Sequence, residues 1–115
     1  MSLTSDPNDP RLGHGSDATP QPMNAAYLVL TTEERRKGFV MPVYRAYKHH
    51  DPHCGAVTTM GLELCETYAR SPSFYGATYC CRCRMHRPVG AEGEFTWVDD
   101  AGNDTHILVG TVPGA

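Results

Sequence analysis

Short apolar runs separated by polar, proline- and glycine-rich connections set the outline of this chain. Tyr27-Leu28-Val29-Leu30 is a strand-like apolar run. It is followed by Thr31-x-x-Glu34, a capping box that opens a brief helix through Arg36-Lys37, with Gly38 suited to its left-handed stop. Phe39 to Tyr47 alternates Phe39, Met41 and Val43 against Val40, Tyr44 and Ala46, the period of an extended segment. Pro42 cannot donate to a ladder and places that segment at a sheet edge. The stretch from Lys48 to Gly55 reads as a polar turn. Beyond it, Met60, Gly61, Leu64, Cys65 and Tyr68 recur at helical spacing, which predicts a helix from Thr58 to Arg70, capped by Thr58 or Thr59 and ended by Ser71-Pro72. Glu66 and Arg70, four apart, form a solvated pair on its outer side. Phe74 to Cys80 is aromatic and β-branched, a strand, and Pro88-Val89-Gly90 breaks the run after His86. Glu94–Val98 and Thr105–Val109 form a hairpin around the polar loop 99–104, with Phe95 and Trp97 on one face. The predicted architecture is a small α+β domain spanning residues 27–115, with one main helix on a few short antiparallel strands.

Residues 1–26 are rich in Pro, Asp, Gly, Ser and Asn, and alone bury too little to offset their ordering entropy. They are expected to be a flexible arm, or one ordered by a partner such as a neighbouring chain. With 115 residues in all, the core is small and calls for a staple. No apolar run reaches the roughly 18 residues of a membrane span, and no basic-then-apolar leader opens the chain. A compartment without export keeps thiols reduced, so the clustered cysteines among the five read as metal ligands before disulfides.

The net charge of −3 conceals a pattern. Residues 35–87 carry nine basic side chains against three acids, while residues 88–115 carry five acids and no base. A basic middle between acidic ends suits an anionic partner, or simply neutralises its own flanks.

The densest chemistry lies in Cys80-Cys81-Arg82-Cys83-Arg84-Met85-His86. Two cysteines two residues apart on a tight turn can present both thiolates to one zinc ion at roughly 2.3 Å. Cys54, followed by Gly55, supplies a third sulfur, and Cys54, Cys80, Cys83 and His86 form the expected Cys3His set for a structural zinc. His50 or His53 could stand in for His86, and Cys81 for Cys80. Cys65, on the helical stripe, is expected in the core. Three readings of function follow: a macromolecular, chiefly protein-binding, module stapled by zinc; a nucleic-acid-binding knuckle using Arg82, Arg84 and Arg87, with Tyr75 and Tyr79 for stacking; and a small metal-dependent nuclease built on His49 and His50. No His-Glu-x2-His and no deaminase-type His-x-Glu with Pro-Cys-x2-Cys occurs, so an enzyme is the less favoured class and no catalytic residue is assigned.

A wider set of residues carries a resemblance: Asp9-Pro10-Arg11-Leu12-x-His14-Gly15, Ala26-Tyr27-Leu28-Val29-Leu30, Glu33-Glu34-Arg35-x2-Gly38-Phe39-Val40, Cys54-Gly55-x-Val57-Thr58-Thr59-Met60-Gly61, Glu66-Thr67-Tyr68-Ala69-Arg70, and Phe74-Tyr75-Gly76-Ala77-Thr78-Tyr79-Cys80-x2-Cys83-x2-His86. Together they resemble small proteins of unassigned function encoded in bacteriophage and prophage genomes. The resemblance supports Cys54, Cys80, Cys83 and His86 as ligands, leaves Cys65 and Cys81 outside the pattern, and implies a place in a bacterial cytoplasm or a virion. A host factor, a defence complex or a virion lattice is then the expected protein partner.

Overall fold

The computed structural model describes residues 2–12 and 26–112. In chain order these form β1 (Ser2–Thr4), β2 (Ala26–Leu28), α1 (Thr32–Arg35), β3 (Ala46–His49), β4 (Val57–Thr59), α2 (Leu62–Arg70), β5 (Ala77–Cys80), β6 (Met85–Pro88), β7 (Phe95–Val98) and β8 (Asp104–Leu108). The domain is mostly sheet. A four-stranded sheet has the order β4-β3-β7-β8, and β5-β6 and β1-β2 form two further two-stranded sheets.

Aromatic packing explains why β3 and β7 sit in the middle. β7 is buried at all four positions, and pairs antiparallel with β3 in the register Tyr47↔Trp97 and His49↔Phe95. Tyr47 meets Phe95 edge-on at 5.3 Å between ring centroids, and Tyr68 of α2 meets Trp97 edge-on at 5.2 Å. Met41, Ala69 and Val109 close the cluster. Each fully buried large side chain contributes about 1.5–3 kcal/mol, so these rings are the main apolar stabilisation of a domain this small.

The strand containing β3 differs from the one expected. Residues 39–45 are irregular, and the ladder begins at Ala46 and runs on through His49. Pro42 therefore lies outside the sheet, and the polar segment expected as a turn supplies a central strand. Thr58 and Thr59 do not cap a helix. With Val57 they form β4, paired to Ala46–Lys48, because β-branched residues suit a ladder edge better than a first helical turn. Helix α2 accordingly starts at Leu62 and ends at Arg70. At α1, the Thr31 hydroxyl accepts the Glu34 N–H at 3.1 Å, as its capping sequence implied. The Glu66–Arg70 pair does not form within α2. Instead Arg35 reaches Glu66 at 3.1 Å and Arg70 reaches Glu34 at 3.5 Å, so these charges tie α1 to α2.

The hairpin near the C-terminus forms as β7-β8, with a register irregularity between Thr96 and Val98. Strand β6, which the sequence pattern does not predict, follows the cysteine turn directly and pairs Tyr79↔His86 and Cys80↔Met85 with β5. Part of the N-terminal arm is seen against its own chain. β1 runs parallel to β2, the Ser5 hydroxyl donates to the Val29 carbonyl, and Leu12 bridges Ala26. The rest of the arm, including His14, lies outside the described residues. Among the described residues, no helix is long and apolar enough to cross a membrane.

Close backbone approach at the hairpin base generates a test. Gly110 has φ of 93°, and a Cβ there would come within 2.8 Å of the Gly90 nitrogen. Gly102 has φ of 85° with open space around it. Gly102→Ala should cost about 1–2 kcal/mol from left-handed backbone strain alone. Gly110→Ala should cost clearly more, because strain and collision add. Urea unfolding of the two variants checks the order.

Candidate metal centre

Four donors converge where the four-stranded sheet meets the β5-β6 hairpin. His49, Cys54, Cys80 and Cys83 offer ligand atoms that all lie within 4.8 Å of one another, close enough to hold a metal ion. Cys54 Sγ and Cys80 Sγ are 3.5 Å apart, and Cys83 Sγ is 3.5 Å from His49 Nδ1. Ligand bonds of about 2.3 Å to sulfur and 2.0 Å to nitrogen in a tetrahedron require donor separations of roughly 3.5–3.8 Å. These two spacings are close to that edge length.

Each donor is placed by local structure. His49 ends β3 on the same face as Tyr47, because side chains alternate along a strand. A tight turn then returns the chain: Cys54 N–H donates to the Asp51 carbonyl and Gly55 N–H to that of His49. Gly55, at φ of 75°, makes this reversal without strain. Cys80 ends β5, and the Cys81–Arg84 turn brings Cys83 back beside it, closed by Arg84 N–H to the Cys80 carbonyl at 2.8 Å. The sulfurs also receive backbone donors. Ala56 N–H points to Cys54 Sγ and Cys83 N–H to Cys80 Sγ, each at 3.5 Å. Such contacts favour thiolates.

The surroundings fix the imidazole. His49 is 2% exposed, its ring stacks on Phe95 at 4.6 Å, and its Nε2 lies 2.8 Å from Glu94 Oε1. A carboxylate there takes the Nε2 proton as its hydrogen bond, which leaves the Nδ1 lone pair facing the sulfurs. Glu94 is itself held by Arg87 at 2.9 Å, and that guanidinium, followed by His49, keeps its carboxyl below the usual range despite partial burial. Asp51 also comes near the His49–Glu94 pair.

The thiols are unequal. Burial works against the Cys54 thiolate, but the Ala56 N–H, His49 and the two neighbouring sulfurs outweigh it and bring Cys54 down to about 7. Burial and the adjacent sulfurs push Cys83 up to about 12, and burial raises Cys80. Three sulfurs this close cannot all carry charge without a cation, and a bound divalent ion reverses that balance.

His86, expected as the fourth ligand, lies outside this cluster. It is the cross-strand partner of Tyr79, so it shares Tyr79's face of the hairpin and not that of Cys80. There its Nε2 contacts the Tyr27 hydroxyl at 2.8 Å, and its ring meets Tyr79 at 5.2 Å. Neither stand-in reaches the cluster: His50 Nε2 lies 2.6 Å from the Thr96 hydroxyl and 2.9 Å from Asp104, while exposed His53 sits in the turn before Cys54. Cys81 is exposed, with its Sγ toward the Val57 carbonyl, and Cys65 is 1% exposed in the core. Of the arginines around the turn, Arg82 donates to the Cys54 carbonyl at 3.1 Å, Arg87 pairs with Glu94, and Arg84 is exposed at φ of 55°. Two of the three thus brace the centre. The signal for His49 was present in the sequence: Tyr47-Lys48-His49 alternates, and extending the strand two residues would have put His49 on the buried face.

The two histidines can be separated by experiment. His49→Ala should abolish stoichiometric metal retention, and His86→Ala should preserve it, as read by elemental analysis of purified protein. Glu94→Gln should weaken metal affinity about 10–100-fold, the usual effect of losing a carboxylate behind a ligating histidine, measured by competition with a chromogenic chelator. No family model, curated protein or solved structure matches this chain.

Proposed function

We propose that the chain is a zinc-stapled binding module, in which a Cys3His zinc formed by His49, Cys54, Cys80 and Cys83 has a structural role and the surfaces it holds in place engage a protein partner. The observation that carries this reading is the set of four donors within 4.8 Å of one another, with His49 buried and oriented by Glu94. Thiolate-rich nitrogen–sulfur tetrahedra select zinc among common divalent ions. Four protein donors fill the coordination shell and leave no position for a water nucleophile, which favours a structural over a hydrolytic ion. The nuclease reading also loses His49, which the centre uses.

Zinc would join elements of separate sheets. Cys54 precedes β4 at the edge of the large sheet, whereas Cys80 and Cys83 belong to the β5-β6 hairpin. A host or defence factor, or a virion lattice, remains the proposed class of partner, on the strength of the sequence resemblance.

Protein purified without added metal should carry about one zinc per chain, and cobalt substitution should give the visible bands of a tetrahedral thiolate centre. Chelation should unfold the domain, since structural zinc contributes on the order of 10 kcal/mol, and thermal melts with and without chelator read this directly. A metal-free protein with an unchanged melt would overturn the zinc reading. For the partner, a protein recovered by the zinc-loaded chain and lost with Cys83→Ser supports the module, and recovery of nucleic acid alone argues against it.

A further inference from the structure

A cavity of about 460 Å³ opens between the edge strand β4, the start of α2 and β5. This is within the size range of small-molecule sites. Tyr47, Tyr68 and Tyr75 are among the side chains that line it, and Leu64, Ala77 and Thr78 stand on its α2 and β5 sides. We propose that this cavity binds a small, uncharged aromatic molecule between the two sheets that the cysteine–histidine centre joins.

The chemistry of the lining selects the class. Not one of its side chains is charged, so a charged group entering it would lose hydration without gaining an opposite charge. The lining tyrosines have their hydroxyls engaged: Tyr47, itself buried, donates to the Tyr79 carbonyl, while the half-buried Tyr75 donates to the Leu28 carbonyl and the half-buried Tyr27 pairs with His86, leaving these last two to offer rings. Flat rings packed by aromatic faces and edges gain about 0.5–1.5 kcal/mol per pair beyond area burial. Polar groups for orientation come from Thr58, Thr59 and Thr78 and from the outer edge of β4, which ends its sheet.

The cavity also depends on the clasp, and this dependence alone rests on the zinc reading. Its β4 wall follows Cys54 and its β5 wall ends in Cys80. Beyond the metal cluster, the two walls are tied where Cys81 N–H donates to the Thr58 hydroxyl at 3.1 Å. Loss of the ion should let these walls separate.

N-phenyl-1-naphthylamine, a neutral fluorescent aromatic, and its sulfonated analogue 1-anilinonaphthalene-8-sulfonate form a matched pair of probes for the full chain. The neutral probe should bind saturably at one site, at least tenfold tighter than the sulfonate, and shift amide signals of Thr58, Leu64 and Thr78. Ala77→Phe and Leu64→Trp, which fill the space, should each lower its affinity tenfold or more while keeping the far-ultraviolet dichroism of the parent. Absence of saturable binding, equal affinity for the two probes, or shifts confined to residues away from the cavity would overturn the proposal. The shift map decides even if both filling variants fail to fold. Zinc content measured on the same samples separates the two ideas: zinc without probe binding refutes the cavity site alone, and probe binding by a zinc-free chain refutes the clasp alone.

Discussion

The hydrogen bond between the His49 Nε2 and Glu94 organises this molecule more than any other polar contact. It lies where three segments meet: His49 ends β3, Glu94 precedes β7, and Arg87 of β6 grips the same carboxylate. A buried imidazole without a partner would be costly, on the order of 1–3 kcal/mol. With one nitrogen turned to Glu94 and the other to the sulfurs, both polar atoms of the ring are used. The same contact fixes the tautomer a metal requires, so the second layer of the site and the junction of the sheets are one structure.

Around that contact, the sulfur cluster and the aromatic core are contiguous. Phe95 stacks on the His49 ring on one side and meets Tyr47 on the other, which links the cysteine–histidine centre to the Trp97 cluster without a break. The centre is therefore a corner of the core, continuous with it. Arg82 and Arg87 are engaged beside it, by the Cys54 carbonyl and by Glu94, so the basic character of the middle of the chain is less available to an anionic partner than a charge count suggests. The apolar cavity lies on the other flank of the cysteine turn, walled by strands from both sheets. The cysteine–histidine cluster, which brings together residues of both sheets, lies beside that space.

Much of the outline was legible locally. The Thr31 cap, the end of the long helix at Arg70, the β7-β8 hairpin and the burial of Cys65 each follow from a few neighbouring residues, and each is present. The three sulfurs of the centre were also legible, because Cys80-x2-Cys83 is a local geometry and Cys54 stands before a glycine able to turn. What failed locally failed for a tertiary reason. Val57-Thr58-Thr59 borders a helix in sequence, but the open edge of β3 recruits it as a strand. Glu66 and Arg70 are well spaced to pair with each other, yet α1 offers each of them a partner across the helix interface.

The sequence by itself determined that the thiols of Cys54 and of the Cys80-x2-Cys83 turn could meet an imidazole at one point, since local spacing carries that much. Which imidazole was decided only by the fold. His86 is near Cys83 along the chain, but antiparallel pairing with Tyr79 turns it to the face opposite Cys80. His49 is 31 residues before Cys80, and strand alternation together with the β3-β7 register delivers it to the sulfurs. A strand reverses a side chain's direction with every residue, so proximity in sequence carries no information about the shared face until the pairing is known.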